Sequence, residues 1–243
     1  MKGNKLILIL AALSLSGILG IYSRLPASIP LHWNVRGQVD SWGPRWNIFL
    51  LGGLPLIVAL LMRWLPRIDP KRDSYVKHAR TYEILQTLIV LVLIGLGWLT
   101  IAAALGATMD VGAIVRVLVG LLFIGLGNFM GRLKRNYFVG IKTPWTLADD
   151  EVWRRTHRCG GWVFVIMGAV FVLSLALPAG PILGVVLGVS TIGGVAYMFL
   201  YSWLQWRKLH GDERPEAGSA RPESGDGTEG DMRGGKESEN ENN

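Results

Sequence analysis

Half of the 243 residues are hydrophobic, 31 are Gly and the mean hydropathy is +0.34, a composition too apolar for an ordinary soluble domain of this length. The net charge of +7 combines two unlike parts: from Gly211 onward ten acids face four bases, a net of −6, so the preceding body carries +13. A single Cys, Cys159, excludes an internal disulfide framework, and in so apolar a chain the basic body points to a membrane surface and not to direct nucleic-acid binding.

Six apolar runs are long enough to cross a hydrocarbon core of roughly 30 Å. The first, Leu6 to Tyr22, follows Lys2 and Lys5 as a secretory signal would. Its length, and the Arg and Pro of the following YSRLPAS where small cleavage residues belong, make it an uncleaved anchor. The next loop, SRLPASIPLHWNVRGQVDSWGPRW, is more specified than a spacer requires. Pro26 and Pro30 hold it extended, Gly37 and Gly43 permit turns, and Trp33, Trp42 and Trp46 suit the head-group interface. His32 has no companion His on that side and is read as a hydrogen-bonded structural residue instead of a metal ligand.

The second span, Ile48 to Leu65, leads into a basic segment. There Asp69 can cap a helix that begins at Pro70, and Asp73 with Lys77 is an i,i+4 pair running into the third span, Ile84 to Leu105. Val117 to Leu133, Trp162 to Leu177 and Ile182 to Trp203 complete the set. Gly127 with Gly131, and Gly184 with Gly188, form GxxxG pairs that suit close approach of helices. No two-residue alternation marks a barrel, so the expected fold is all-α, a polytopic bundle of six transmembrane helices. The acidic stretch 211–243 is too polar to offset its chain entropy and is expected to be a disordered tail.

Six spans put both termini on one face together with the second and fourth loops. That face collects 17 Lys and Arg against four on the other, namely Arg24, Arg36, Arg45 and Arg116. Both termini are therefore expected in the cytoplasm. The span interiors carry only neutral polar residues such as Ser14, Thr100, Asn128 and Ser190. Arg116 sits at an outer helix end, where snorkelling or pairing with Asp110 suffices. An ion-coupled transporter needs charged partners inside its spans, so this pattern argues against one.

Between the fourth and fifth spans lies RNYFVGIKTPWTLADDEVWRRTHRCGGW, a dense polar stretch in an apolar chain. Pro144 ends extended backbone, and Thr146 with Asp149 three residues on reads as the cap of a helix from about Leu147. Asp150 to Arg154 and Glu151 to Arg155 are i,i+4 pairs on it, and Trp145, Trp153 and Trp162 are expected along the bilayer surface. Catalysis has little to stand on. His157 and Cys159 are two apart and diverge on a helix, Asp149, Asp150 and Glu151 suit a helix start, and no Walker A, HExxH or GxSxG occurs. No enzyme activity, cofactor or metal is expected; the alternative is a small-molecule transporter or a membrane-embedded enzyme of unknown substrate.

The run GNFMGRLKRNYFVGIKTPWTLADDEVWRRTHRCGGW resembles the signature of the SdpI family of bacterial membrane proteins. LPASIPLHWNVRGQVDSWGPRW resembles the domain of unknown function that commonly precedes it. On that resemblance the chain divides into 1–66 (two spans and the outer loop), 67–110 (basic segment and third span), 111–206 (the SdpI-like spans) and the tail. Gly127, Asn128, Asn136, Tyr137, Gly140, Lys142, Thr143, Pro144, Trp145, Thr146, Trp153 and His157 match the inner pattern, and Pro26, Pro30, His32, Trp33, Gly37 and Asp40 the outer one. Lys142 stands where the family often has Arg. The resemblance implies a plasma-membrane immunity and signalling protein. Its outer loop, with Trp42 and Trp46, would face a secreted peptide toxin, and its inner motif would meet an ArsR-like winged-helix repressor held at the membrane.

Overall fold

The computed structural model describes residues 5–211; the acidic tail beyond Gly211 lies outside them. Among the described residues six helices are long and apolar enough to span a bilayer. They are α1 (Lys5–Ile21), α2 (Ile48–Ile68), α4 (Ala79–Ala104), α5 (Val111–Met130), α7 (Asp150–Leu173) and α8 (Pro181–His210), with α3 (Arg72–Lys77) and α6 (Pro144–Ala148) as short helices between them. Large aliphatic side chains such as Ile192, 73% exposed, cover their outer surfaces, as a multi-pass membrane protein requires where lipid tails replace water.

The outer loop departs from an all-helical chain. It folds as a two-stranded antiparallel hairpin, β1 (Ser28–Trp33) and β2 (Val39–Pro44), with irregular register around His32. Its turn is closed by Asn34, whose Oδ1 accepts the N–H groups of Arg36 and Gln38, and by Gly37 at φ +73°. Ile29 of β1 enters a core with Ile18, Leu25, Ile48 and Ile101, which seats the hairpin on the ends of α1, α2 and α4.

Local signals set the helix ends, sometimes one step from where they are expected. Asp69 is not the N-cap of the following helix: it is the C-cap of α2, in extended backbone before Pro70, and its carboxylate serves the inner loop described below. Asp110 caps α5 by accepting the Ala113 N–H. Thr143, not Thr146, is the N-cap of α6, in a reciprocal capping box with Thr146 and with Pro144 at the first helical position. Asp149 caps the separate helix α7. The fifth span thus starts at Asp150, twelve residues before the apolar run that announces it. The polar first half of α7 is buried on one side by protein, through Val152, Trp153, Thr156 and His157. Trp153 therefore lies in the core and not along the bilayer surface.

The tightest interhelical seam joins antiparallel α5 and α7. A Cβ on Gly127 would lie 2.5 Å from the Gly161 carbonyl oxygen, and one on Gly120 would lie 2.9 Å from that of Gly168. Each helix thus offers two glycines seven residues apart, so the backbones touch where a larger residue would part them. Gly184 and Gly188 take no part in such a seam: a Cβ would meet only Val35 at 3.5 Å at the first and nothing at the second.

Candidate functional site

The inner motif is built around Asn136, which is fully buried. Its Oδ1 accepts the N–H groups of Phe138 (3.0 Å) and Val139 (2.7 Å), while its Nδ2 donates to the carbonyls of Lys134 and Val139. The side chain thereby replaces the secondary structure that this stretch lacks. Asp69 ties the loop to the end of α2. One carboxylate oxygen accepts the Tyr137 N–H at 2.9 Å and the Tyr75 hydroxyl at 2.8 Å, and the other accepts the Lys71 N–H. The Tyr75 hydroxyl also lies 3.2 Å from Asn136 Oδ1. Burial, and then the hydrogen bond to Asp69, push its pKa up, so it remains a protonated donor. The backbone Lys134 N–H reaches His78 Nδ1 at 3.4 Å.

A second knot involves His157. Its Nε2 accepts the Ile141 N–H at 2.9 Å and its Nδ1 lies 2.9 Å from the Trp153 carbonyl. This pairing needs a hydrogen on Nδ1 and a bare Nε2. The ring stacks on Trp153 at 3.9 Å, and the Trp153 indole N–H donates to the Leu133 carbonyl. Gly140 passes over both rings at φ +125°, and a Cβ there would collide with His157 Nε2. Only glycine fits such a position without strain. Thr146 completes the knot by donating to the Ile141 carbonyl at 2.8 Å.

The motif residues consequently separate into two sets. Asn136, Gly140, Thr143, Thr146, Trp153 and His157 face inward and hold the loop. Tyr137, Lys142 and Pro144 are exposed, and Lys142 makes no hydrogen bond or ion pair among the described residues. Trp145 packs edge-on against Phe199 of α8, and Asn128 is exposed with its amide bonded to the Ile124 carbonyl. Asp150 pairs with Arg135, and Glu151 takes both Arg154 and Arg155, so the acids at the start of α7 serve as cap and ion pairs. Asp69, Tyr75 and His78 belong to this site but carry no signal in the sequence, because their partners lie more than fifty residues away.

At the opposite end, His32 and Asp40 pair across the hairpin. Trp42 and Trp46 are 61% and 52% exposed, Pro26 is exposed, and Pro30 is buried within β1. Gly37 brings the turn against Gly112 at the start of α5. Behind the turn a cavity of about 330 Å³ is walled by Trp33, Val35, Arg116, Leu183 and Leu187. Arg116 is buried and does not pair with Asp110 as expected. Its guanidinium donates to the Gly112 carbonyl and, at 2.9 Å, to the Ser174 carbonyl, because the 3-10 turn Ser174–Ala176 that ends the span turns an acceptor toward it.

No solved structure matches the chain. The chain is 26% identical over 211 residues to a protein of Bacillus subtilis (strain 168) named Immunity protein SdpI, covering 87% of this chain and 99% of that one. Residues 7–57 match a domain of unknown function, DUF1648, and contain the hairpin; residues 132–202 match the SdpI/YfhL protein family and contain the Asn136 and His157 knots. The resemblance carried by the two motifs is thus borne out: this multi-pass plasma-membrane protein is similar to the SdpI/YfhL family over its second half and to DUF1648 over its first two spans.

Proposed function

We propose that this chain is a membrane immunity protein: it protects its host against a secreted peptide toxin and, with the peptide bound, holds an ArsR-like repressor at the cytoplasmic face. The observation that carries the reading is the end-to-end likeness to Immunity protein SdpI, which spans both the outer hairpin and the inner loop. On the outer face, exposed Trp42 and Trp46 and the cavity lined by Trp33 offer aromatic surface of the kind that anchors peptides. Pro26, Pro30, His32, Gly37 and Asp40 shape the hairpin that presents it. On the inner face, Lys142, Tyr137 and Pro144 project from a loop fixed by buried bonds, and a preorganised exposed cation suits recognition of a protein partner.

The test is protection. A toxin-sensitive host making this chain is exposed to secreted peptide toxin, and survival is scored against membrane abundance. Protection by the parent chain and its loss in a Trp33→Ala, Trp42→Ala variant of normal abundance support the reading. Survival no better than that of cells without the protein overturns it.

A further inference from the structure

A third feature lies at the inner end of α2, apart from both motifs. A cavity of about 350 Å³ opens between α2, α3 and the start of α4, and Arg63, Arg67 and Arg72 all line it. Arg63 is five residues short of the end of α2 at Ile68, roughly 7 Å inside at the helical rise, and thus at the depth where head groups meet acyl chains. Arg67 follows one turn later on the same face, and the fold-back at Pro70 brings Arg72 to the third wall.

The uncharged polar groups on the floor of this cavity are engaged with the protein itself. Pro66 has no N–H for the Met62 carbonyl, and the Tyr82 hydroxyl fills that position at 2.6 Å. The Gln86 side-chain N–H donates to the Ala59 carbonyl and the Tyr75 hydroxyl to Asp69. Arg63 Nη1 is buried with no hydrogen-bond partner among the described residues. None of the three arginines makes an ion pair among the described residues, although Asp73 and Glu83 also line the space. A guanidinium at this depth needs an anionic acceptor, and planar forks presented by two neighbouring helices suit the oxygens of a phosphate. The remaining wall is Met62, Pro66 and Val76, apolar surface that an inorganic ion would leave uncovered.

We propose that this cavity is a phospholipid site: the lipid phosphate is bound by Arg63, Arg67 and Arg72, and its glycerol and upper acyl chain lie on Met62, Pro66 and Val76. The site fixes α3 against α2 and so supports the strand of chain that carries Asp69 to the inner loop.

The full-length chain, purified in a non-phosphorylated detergent, is titrated by native mass spectrometry with dioleoyl phosphatidylethanolamine, with dioleoylglycerol and with inorganic phosphate. One phospholipid bound per chain is expected, with at least tenfold weaker retention of dioleoylglycerol and none of inorganic phosphate. Arg63→Gln combined with Arg67→Gln should weaken phospholipid retention about tenfold, Arg63→Lys less, and Lys208→Gln, which removes an exposed cation elsewhere, not at all. Arg72→Gln, a change on an exposed side chain, keeps the test informative if the double variant fails to fold. Equal retention of dioleoylglycerol overturns the phosphate contact, equal binding of inorganic phosphate overturns the lipid, and unchanged retention in the Arg72→Gln and Arg63→Lys variants overturns the site.

Discussion

Asn136→Ala is the most informative single change in the inner loop. The side chain accepts two backbone N–H groups and donates to two carbonyls, all in a residue with no exposed surface. A buried hydrogen bond contributes about 1 kcal/mol net, and leaving its partner unsatisfied costs about 1–3 kcal/mol. Four such bonds in one short segment do not add independently, and the loop can admit some water, so we expect a loss of about 3 kcal/mol. Asn136→Asp keeps the acceptor but loses both donors and sets a second carboxylate near Asp69, so it should be no milder. The assay is denaturant unfolding of the purified protein in micelles, with Tyr75→Phe and the double variant completing a cycle. Because the Tyr75 hydroxyl lies between Asp69 and Asn136, the double variant should lose less than the sum of the singles. A loss below about 1 kcal/mol for Asn136→Ala, or strict additivity with Tyr75→Phe, would refute the view that this side chain organises the loop.

Three further outcomes follow. Cys placed at Ser41 should react with a membrane-impermeant maleimide on intact cells, whereas Cys placed at Lys142 should react only after lysis; the reverse pattern reverses the orientation drawn from the charges. Cys159 itself is a poor reporter, since it lines a groove between α7 and α8 with Trp162 and Ile166. Lys142→Ala should leave membrane abundance unchanged, because an exposed charge contributes roughly 0–1 kcal/mol, but abolish toxin-dependent induction of a reporter controlled by the repressor; normal induction removes this residue from the partner surface. Burial lowers the pKa of His78, against a weaker opposing effect of its bond to the Ser74 backbone. The folded state therefore binds fewer protons than the unfolded one, and the stability gained from neutral His78 is present above the unfolded value of 6.5 and lost as pH falls below it. His78→Gln should flatten the fall in unfolding free energy between pH 7.5 and pH 5.5, and an unchanged slope would assign it to other groups.

The spans were legible because a membrane helix is announced by a local property, an unbroken apolar run. The polar start of α7 was legible as helix through its i,i+4 pairs, but not the break that makes α6 a separate helix, because Asp149 leaves the helical conformation to cap α7. The hairpin escaped for a different reason. Pro30 sits within β1 and the register breaks at His32, so the alternation that betrays a strand is lost. Caps were half legible: Thr, Pro and Asp stand where helices begin, yet whether Thr143 or Thr146 leads depends on where Thr146 finds a carbonyl, which is that of Ile141. The motif residues were recognisable, but their division into inward and outward sets was not. Asn136 and Lys142 are equally polar on paper, and only the approach of Tyr75 and the backbone bonds around Asn136 determine which is enclosed.

Helix α7 joins the two ends of the molecule in a mechanical sense. At about 1.5 Å per residue its 24 residues form a rod of about 36 Å. Its first turns hold Trp153 and His157 against the inner loop, and the turn after its last residue offers the Ser174 carbonyl to Arg116 in the wall of the outer cavity. Between these grips the glycine contacts at 127/161 and 120/168 leave no side-chain cushion to absorb a displacement relative to α5. The pair of helices can tilt together but cannot slip freely past one another. A nudge that shifts Ser174 is therefore felt about five helical turns away by the ring that receives the Ile141 N–H, without any intervening residue having to change its rotamer.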